Sequence, residues 1–365
     1  MKVHVVSKEI IKPSKQTPPH LRNFKLSFLD QLLPPFYFPV VVFYSANDGH
    51  ESNNNDQRSK ANILKKSLSE TLTRYYPIAG RVRDNIFVEC NDQGVDYIEA
   101  KVNAVMFDFM NVDVVHQLHP SYIVFDDVAK EAQLAVQVNL FNCGGIAISV
   151  CLSHKIADGS AQMTFLNSWA ATAGLAPDKQ IVYPTFDSAA IFPALPPGVH
   201  VSSLESDDSL QGKNVVTKQF LFSASKITAL RARIATESRS SNILSKHPTR
   251  TEAVSALVWK SFMETSRVQV SREFALSTAG EKPIIRSKAN FAVNLRTRLN
   301  PPLPQPSFGN IMMYATAEST VIDHDENTLG FAEPLHGFIS QLRLGVSKIN
   351  DMNTYGNYKK VMLSS

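Results

Sequence analysis

His154, Asp158 and Gly159 stand at His-x-x-x-Asp-Gly spacing, directly behind an apolar, β-branched-rich run over residues 146–152. Three chemistries fit that arrangement. In the first, His154 is a general base: an imidazole titrates near neutral pH, so it can take a proton from a hydroxyl or amine that then attacks a thioester carbonyl. In the second, His154 and Asp158 ligate a metal. A third ligand is missing nearby, and no His-Glu-x-x-His pattern occurs, which argues against that chemistry. In the third, His154 activates Cys151 or Ser153 as a covalent nucleophile. An extended strand places Cys151 and His154 on opposite faces, and the chain has no Gly-x-Ser-x-Gly elbow. Direct attack by the acceptor is favoured. Asp158 keeps two roles open: orienting the imidazole, as the acid of a triad does, or holding the loop by pairing with a buried cation. Arg296, at the end of its own strand, is the candidate partner for the second role; as a surface arginine it would have none.

Such a histidine needs a rigid support. Residues 146–152 read as a buried strand that delivers His154 to a tight loop before a helix over 160–173, which buries Met163, Phe165, Leu166 and Trp169. Residues 134–141 alternate as the preceding strand, with 142–145 as the hairpin turn. Upstream, 32–44 reads as a core strand with a proline-rich entry, and 53–56 as a loop. Apolar residues recur at helical spacing from Ser59 to Tyr75, where Pro77 and Gly80 end the helix. Strands 87–90 and 97–102 are joined by a 91–94 turn. In the second half, 215–222 reads as a strand and 223–236 as a helix. Thr249 and Glu252 form a capping box on a helix that buries Val254, Leu257, Val258 and Phe262. Strands over 289–295 and 311–317 and a helix over 334–349 follow; 358–365 forms no complete element.

At 365 residues the chain has room for two domains, with 1–193 and 215–365 as the two and 194–214, rich in Pro, Ser, Asp and Gly, as a crossover linker. Hydrophobic content of 44% with 19% charged residues is that of a globular protein. The net charge of +4 is dispersed, with no basic run interleaved with aromatics, which argues against a nucleic-acid partner. Three cysteines without paired spacing argue against a metal site or a disulfide framework and for a reducing, cytoplasmic setting. The N-terminus lacks the apolar core of a signal peptide, and the apolar run over 32–44 is too short and proline-rich to span a membrane.

Ordered blocks along nearly the whole chain resemble the BAHD family of plant acyl-CoA-dependent acyltransferases. They are Phe28-Leu29-Asp30-Gln31, Tyr76-Pro77-Ile78-Ala79-Gly80-Arg81, the Cys143-Gly144-Gly145 lead-in and the His154 loop. Further on come residues 251–260 (TEAVSALVWK), 292–304 (AVNLRTRLNPPLP) and Phe308-Gly309-Asn310. Several blocks are most similar to the alkaloid acetyltransferases of that family. The resemblance implies an α/β, two-domain, chloramphenicol acetyltransferase-like fold of mixed sheets and flanking helices, with the active-site channel between the domains. It implies acyl transfer, acetyl above all, from acyl-CoA to a hydroxyl or amine of a specialised metabolite such as an alkaloid. No bound cofactor and no metal are implied; acyl-CoA is a co-substrate, and the expected state is a cytoplasmic monomer. His154 would be the general base, Asp158 and Arg296 a structural pair, and Ser255, Asn310 and Gly159 contacts to CoA. The family's Asp-Phe-Gly-Trp-Gly motif is absent. With it go groups thought to stabilise the tetrahedral oxyanion, where losing one donor costs about 10²–10³ in rate. The expectation is a fragment with an incomplete second domain; the alternative is a degenerate member that binds CoA or metabolite without turnover.

Overall fold

The computed structural model describes residues 2–46, 54–109, 115–120, 132–174, 180–196, 218–241, 246–275, 284–322 and 334–350. The chain divides into two compact units. One holds Met1–Gln219 and Asn294–Met312, the other Phe220–Val293 and Met313–Val361. Residues 294–312 therefore lie with the first unit, although the sequence boundary puts them in the second. Of the linker expected over 194–214, residues 197–214 fall outside the described residues.

The first unit is built on a five-stranded sheet in the order β1-β6-β7-β8-β3. Its strands are β1 Val3–Ile11, β3 Tyr37–Tyr44, β6 Val95–Val102, β7 Leu134–Phe141 and β8 Ile146–Ser153. The β6–β7 pair is parallel and the other three are antiparallel. β7 and β8 are the expected hairpin, with Gly144 at φ +80° in its turn, a backbone conformation a side chain disfavours. Every residue of β8 is buried. Ile146, Ile148, Val150 and Leu152 enter the main core. There they join Leu64, Leu68 and Leu72 of helix α2 (Asn54–Arg74) and Phe165 and Trp169 of α3 (Gly159–Thr172). The alternate residues Ala147, Ser149, Cys151 and Ser153 take the other face, as the pleat requires. A short helix, α1 (Phe28–Leu32), precedes β3. Strands β2 Asn23–Lys25, β5 Phe87–Glu89 and β4 Arg81–Arg83 form a separate small sheet.

Residues 87–89 and 95–102 enter different sheets, so the 91–94 turn that joins them crosses from one sheet to the other. Three local expectations need correction here. β3 is an edge strand, mostly half-buried, which is where Pro39 is tolerated because its missing N–H leaves no gap in the ladder. Residues 54–56 are helix, not loop. Met163 of α3 is exposed.

The second unit holds α4 (Ala224–Ser241), α5 (Arg250–Ala275), α6 (Leu335–Asn350) and the two-stranded sheet of β9 (Ile284–Asn294) and β10 (Met312–Ile322). Residues 218–222 form no strand, and Phe220 and Leu221 are exposed; the rest of that expected strand lies outside the described residues, as do 358–365. The Thr249–Glu252 capping box is present, with Thr249 N donating to Glu252 Oε2 at 2.7 Å and Glu252 N to Thr249 Oγ1 at 3.1 Å. Of the expected face of α5, Leu257 packs half-buried against the core, while Val258 is exposed and Phe262 is 69% exposed; the buried face carries Ala253, Ala256, Trp259 and Met263. Two apolar stripes run along this helix, and packing chose the one with small alanines and the larger ring. Trp259 stacks edge-on against Phe338 at 5.1 Å, and its Nε1 donates to Ser287 Oγ at 2.9 Å, a donor that no residue of the other stripe could offer.

Candidate active site

The loop after β8 is tied down residue by residue. Ser153 N donates to Gln133 O at 2.9 Å, His154 N to Phe36 O at 2.8 Å and Lys155 N to Ser153 Oγ at 3.3 Å. The His154 ring lies against two phenylalanines, Phe36 at 5.1 Å and Phe38 at 4.7 Å between centroids. Burial in those surroundings holds the imidazole below its ordinary pKa, so the neutral form dominates at neutral pH.

Which nitrogen carries the proton follows from Asn310. Its Nδ2 donates to Asp30 Oδ1 and to His154 O, each at 2.8 Å. Both partners are acceptors, so the amide orientation is determined and Oδ1 must face the ring. Asn310 Oδ1 lies 3.0 Å from His154 Nδ1. An acceptor there requires Nδ1 to donate, which leaves Nε2 with its lone pair free. Asp30 anchors the amide in turn: its Oδ1 also accepts from Asn310 N at 2.8 Å, and its Oδ2 from Ser27 N at 2.8 Å and Ser27 Oγ at 2.6 Å. A chain of hydrogen bonds thus runs from a buried carboxylate through an amide to the imidazole. In the sequence Asp30 stands only as part of a family block. The signal that could have found it is the Ser27-x-x-Asp30 spacing, which forms a capping box at the start of α1.

Asp158 faces Arg296. The pair is bidentate, Nη1 to Oδ2 at 2.7 Å and Nη2 to Oδ1 at 3.1 Å, and both residues are buried. Asp158 Oδ1 also caps α3 by accepting from Ala161 N at 2.8 Å, and Oδ2 accepts from Ile311 N at 3.0 Å. With both oxygens engaged by a guanidinium and two amides, Asp158 is available neither to the imidazole nor to a metal. Arg296 spends its remaining donors on Ser307 O, Gly309 O and Asn294 Oδ1, so the surface-arginine alternative is excluded. One ion pair therefore fixes the start of α3, the end of the His154 loop and the 294–311 segment together.

The remaining candidates separate. The Cys151 thiol is pushed up to about 11 by burial and sits 3.5 Å from Ser149 Oγ, so it is neither ionised nor in contact with the imidazole. Ser153 Oγ accepts from the Lys155 amide and is buried. Asn310, expected as a CoA contact, is fully buried with its amide spent on Asp30 and His154; it is a support for the histidine. Gly159 opens α3 in free space, with nothing within 4 Å of where a Cβ would stand. Ser255 is a half-buried residue inside α5 of the second unit.

The Transferase family model matches residues 1–341. Salutaridinol 7-O-acetyltransferase of Papaver somniferum is 35% identical over 390 residues, covering 99% of this chain and 78% of that protein. Limonoid 1-O-acetyltransferase of Citrus sinensis is 35% identical over 361 residues, 96% of this chain and 76% of the relative. The crystal structure of vinorine synthase superposes with a TM-score of 0.74 at 33% identity, covering 99% of this chain and 79% of that one.

Proposed function

The chain belongs to the BAHD transferase family of acyltransferases with acyl-CoA as co-substrate, and on that premise we propose that it moves an acetyl group to a hydroxyl of an alkaloid or similar plant metabolite, with His154 as general base. The observation that carries this reading is the Asn310 amide, which holds His154 with its proton on Nδ1 and its lone pair on Nε2. Nε2 takes the acceptor's proton as its oxygen forms a bond to the thioester carbonyl carbon. The tetrahedral adduct then collapses, the C–S bond breaks, and the imidazolium returns the proton to the CoA sulfur. No covalent acyl-protein is formed, because the one cysteine near the loop is buried and protonated. Asp158 and Arg296 take no part in proton transfer; they hold the loop. Gly159 and Ser255 belong to this proposal as contacts to CoA, and the reaction is assigned to a monomer in the cytoplasm; for the compartment the support is three cysteines without paired spacing.

The test is incubation with acetyl-CoA and a panel of alkaloid and limonoid alcohols, following acceptor and protein by mass. The reading expects an acceptor heavier by one acetyl group and a protein of unchanged mass. An acetylated protein that discharges on addition of acceptor would replace direct attack with a covalent route.

A further inference from the structure

Lys155 follows His154 and is almost wholly buried. Its ammonium donates to two main-chain oxygens at the end of α1, Asp30 O at 3.3 Å and Gln31 O at 3.4 Å. Lysine is seldom buried without a counter-charge. The charge acting on it is the Asp30 carboxylate, which works against the burial that pushes the ammonium down to about 8. Asp30 is in the converse position, its carboxyl raised by burial. The two charges do not meet directly: the ammonium takes Asp30's carbonyl, while the carboxylate takes Ser27 and Asn310.

Asp30 is the residue through which α1 reaches the histidine: its carboxylate holds the Asn310 amide while its own main-chain oxygen takes the Lys155 ammonium. We propose that Lys155 is a positioning residue for acyl transfer: by tying the end of α1 to the His154 loop, it holds the Asp30 carboxylate where it fixes Asn310 and, through Asn310, the tautomer of His154. This rests on His154 being the base.

The experiment is thiol release from acetyl-CoA with a turned-over acceptor, measured as kcat and KM across pH for the parent, Lys155→Met, Lys155→Arg and His154→Ala, with circular dichroism to establish folding. Lys155→Arg keeps a charged donor for the two main-chain oxygens and should keep kcat within about threefold. Lys155→Met should lower kcat about 10–100-fold at all pH, in the range found for residues that orient a functional histidine, with KM for acetyl-CoA unchanged. A folded Lys155→Met with parental kcat, beside an inactive His154→Ala, would overturn the proposal and leave the base intact. Turnover by His154→Ala would instead remove the base reading, and this inference with it. Should both Lys155 variants fail to fold, Ser27→Ala decides, since it loosens the same Asp30 carboxylate: a folded Ser27→Ala with parental kcat would reject the proposal.

Discussion

The orientation of the His154 ring is set by one side chain, Asn310, whose amide is engaged within the protein. Asn310 can present only its oxygen to the ring, because its nitrogen is committed to two acceptors. Asn310→Ala should therefore lower kcat about 10–100-fold with little change in KM for acetyl-CoA, since the amide orients the base and does not reach CoA. Steady-state kinetics under acetyl-CoA saturation would show it, and a KM effect without a kcat effect would contradict it. Burial sets the pH range of the same residue. Because the His154 pKa is lowered, the base form persists below the usual histidine midpoint, and kcat/KM should fall only as pH drops below about 6.5. An acid limb above that value would mean the ring is more solvated than its packing against Phe36 and Phe38 allows.

Elements hold the residue in place, and their weak points are specific. The Asp158–Arg296 pair is buried and fully hydrogen-bonded, so removing one partner strands the other's charge. Arg296→Met should destabilise the protein by about 3–5 kcal/mol in denaturant unfolding. Gly309, which carries a carbonyl to both Arg296 and Asp158, sits at φ +121° with a would-be Cβ 2.9 Å from Ser188 Oγ. Gly309→Ala should cost about 1–3 kcal/mol from backbone strain. In α5 the two stripes make opposite predictions: Trp259→Ala should cost about 3–5 kcal/mol. Phe262→Ser on the exposed face should stay within about 0.5 kcal/mol. The strand and hairpin leading to His154 were legible from alternation and from the paired glycines at 144–145, because those signals are local. The face of α5 was not, since periodicity identifies an amphipathic helix without saying which of two apolar stripes meets a neighbour. Nor was the edge position of β3, which depends on strand order.

For the molecule as a whole, the decisive feature is the return of 294–312 to the first unit. Asp30 and Asn310 are 280 positions apart, His154 and Asn310 156, and Asp158 and Arg296 138. No local pattern links such pairs. His154 was legible from its own spacing and Arg296 as a partner from strand-end placement and family resemblance, but the role of Asn310 was misread as a ligand contact because only the fold shows that its amide is already engaged. Residues 1–219 produced alone would leave the buried carboxylates of Asp30 and Asp158 without Asn310 and Arg296, so circular dichroism should show no cooperative thermal transition for that piece. The account as a whole stands most directly on thiol release from acetyl-CoA by the parent chain and by His154→Ala, with the same acceptor and at neutral pH. It predicts release by the parent and none above background by a folded His154→Ala. Equal release by both would contradict it, because the proton would then be leaving the acceptor by a route that does not pass through His154.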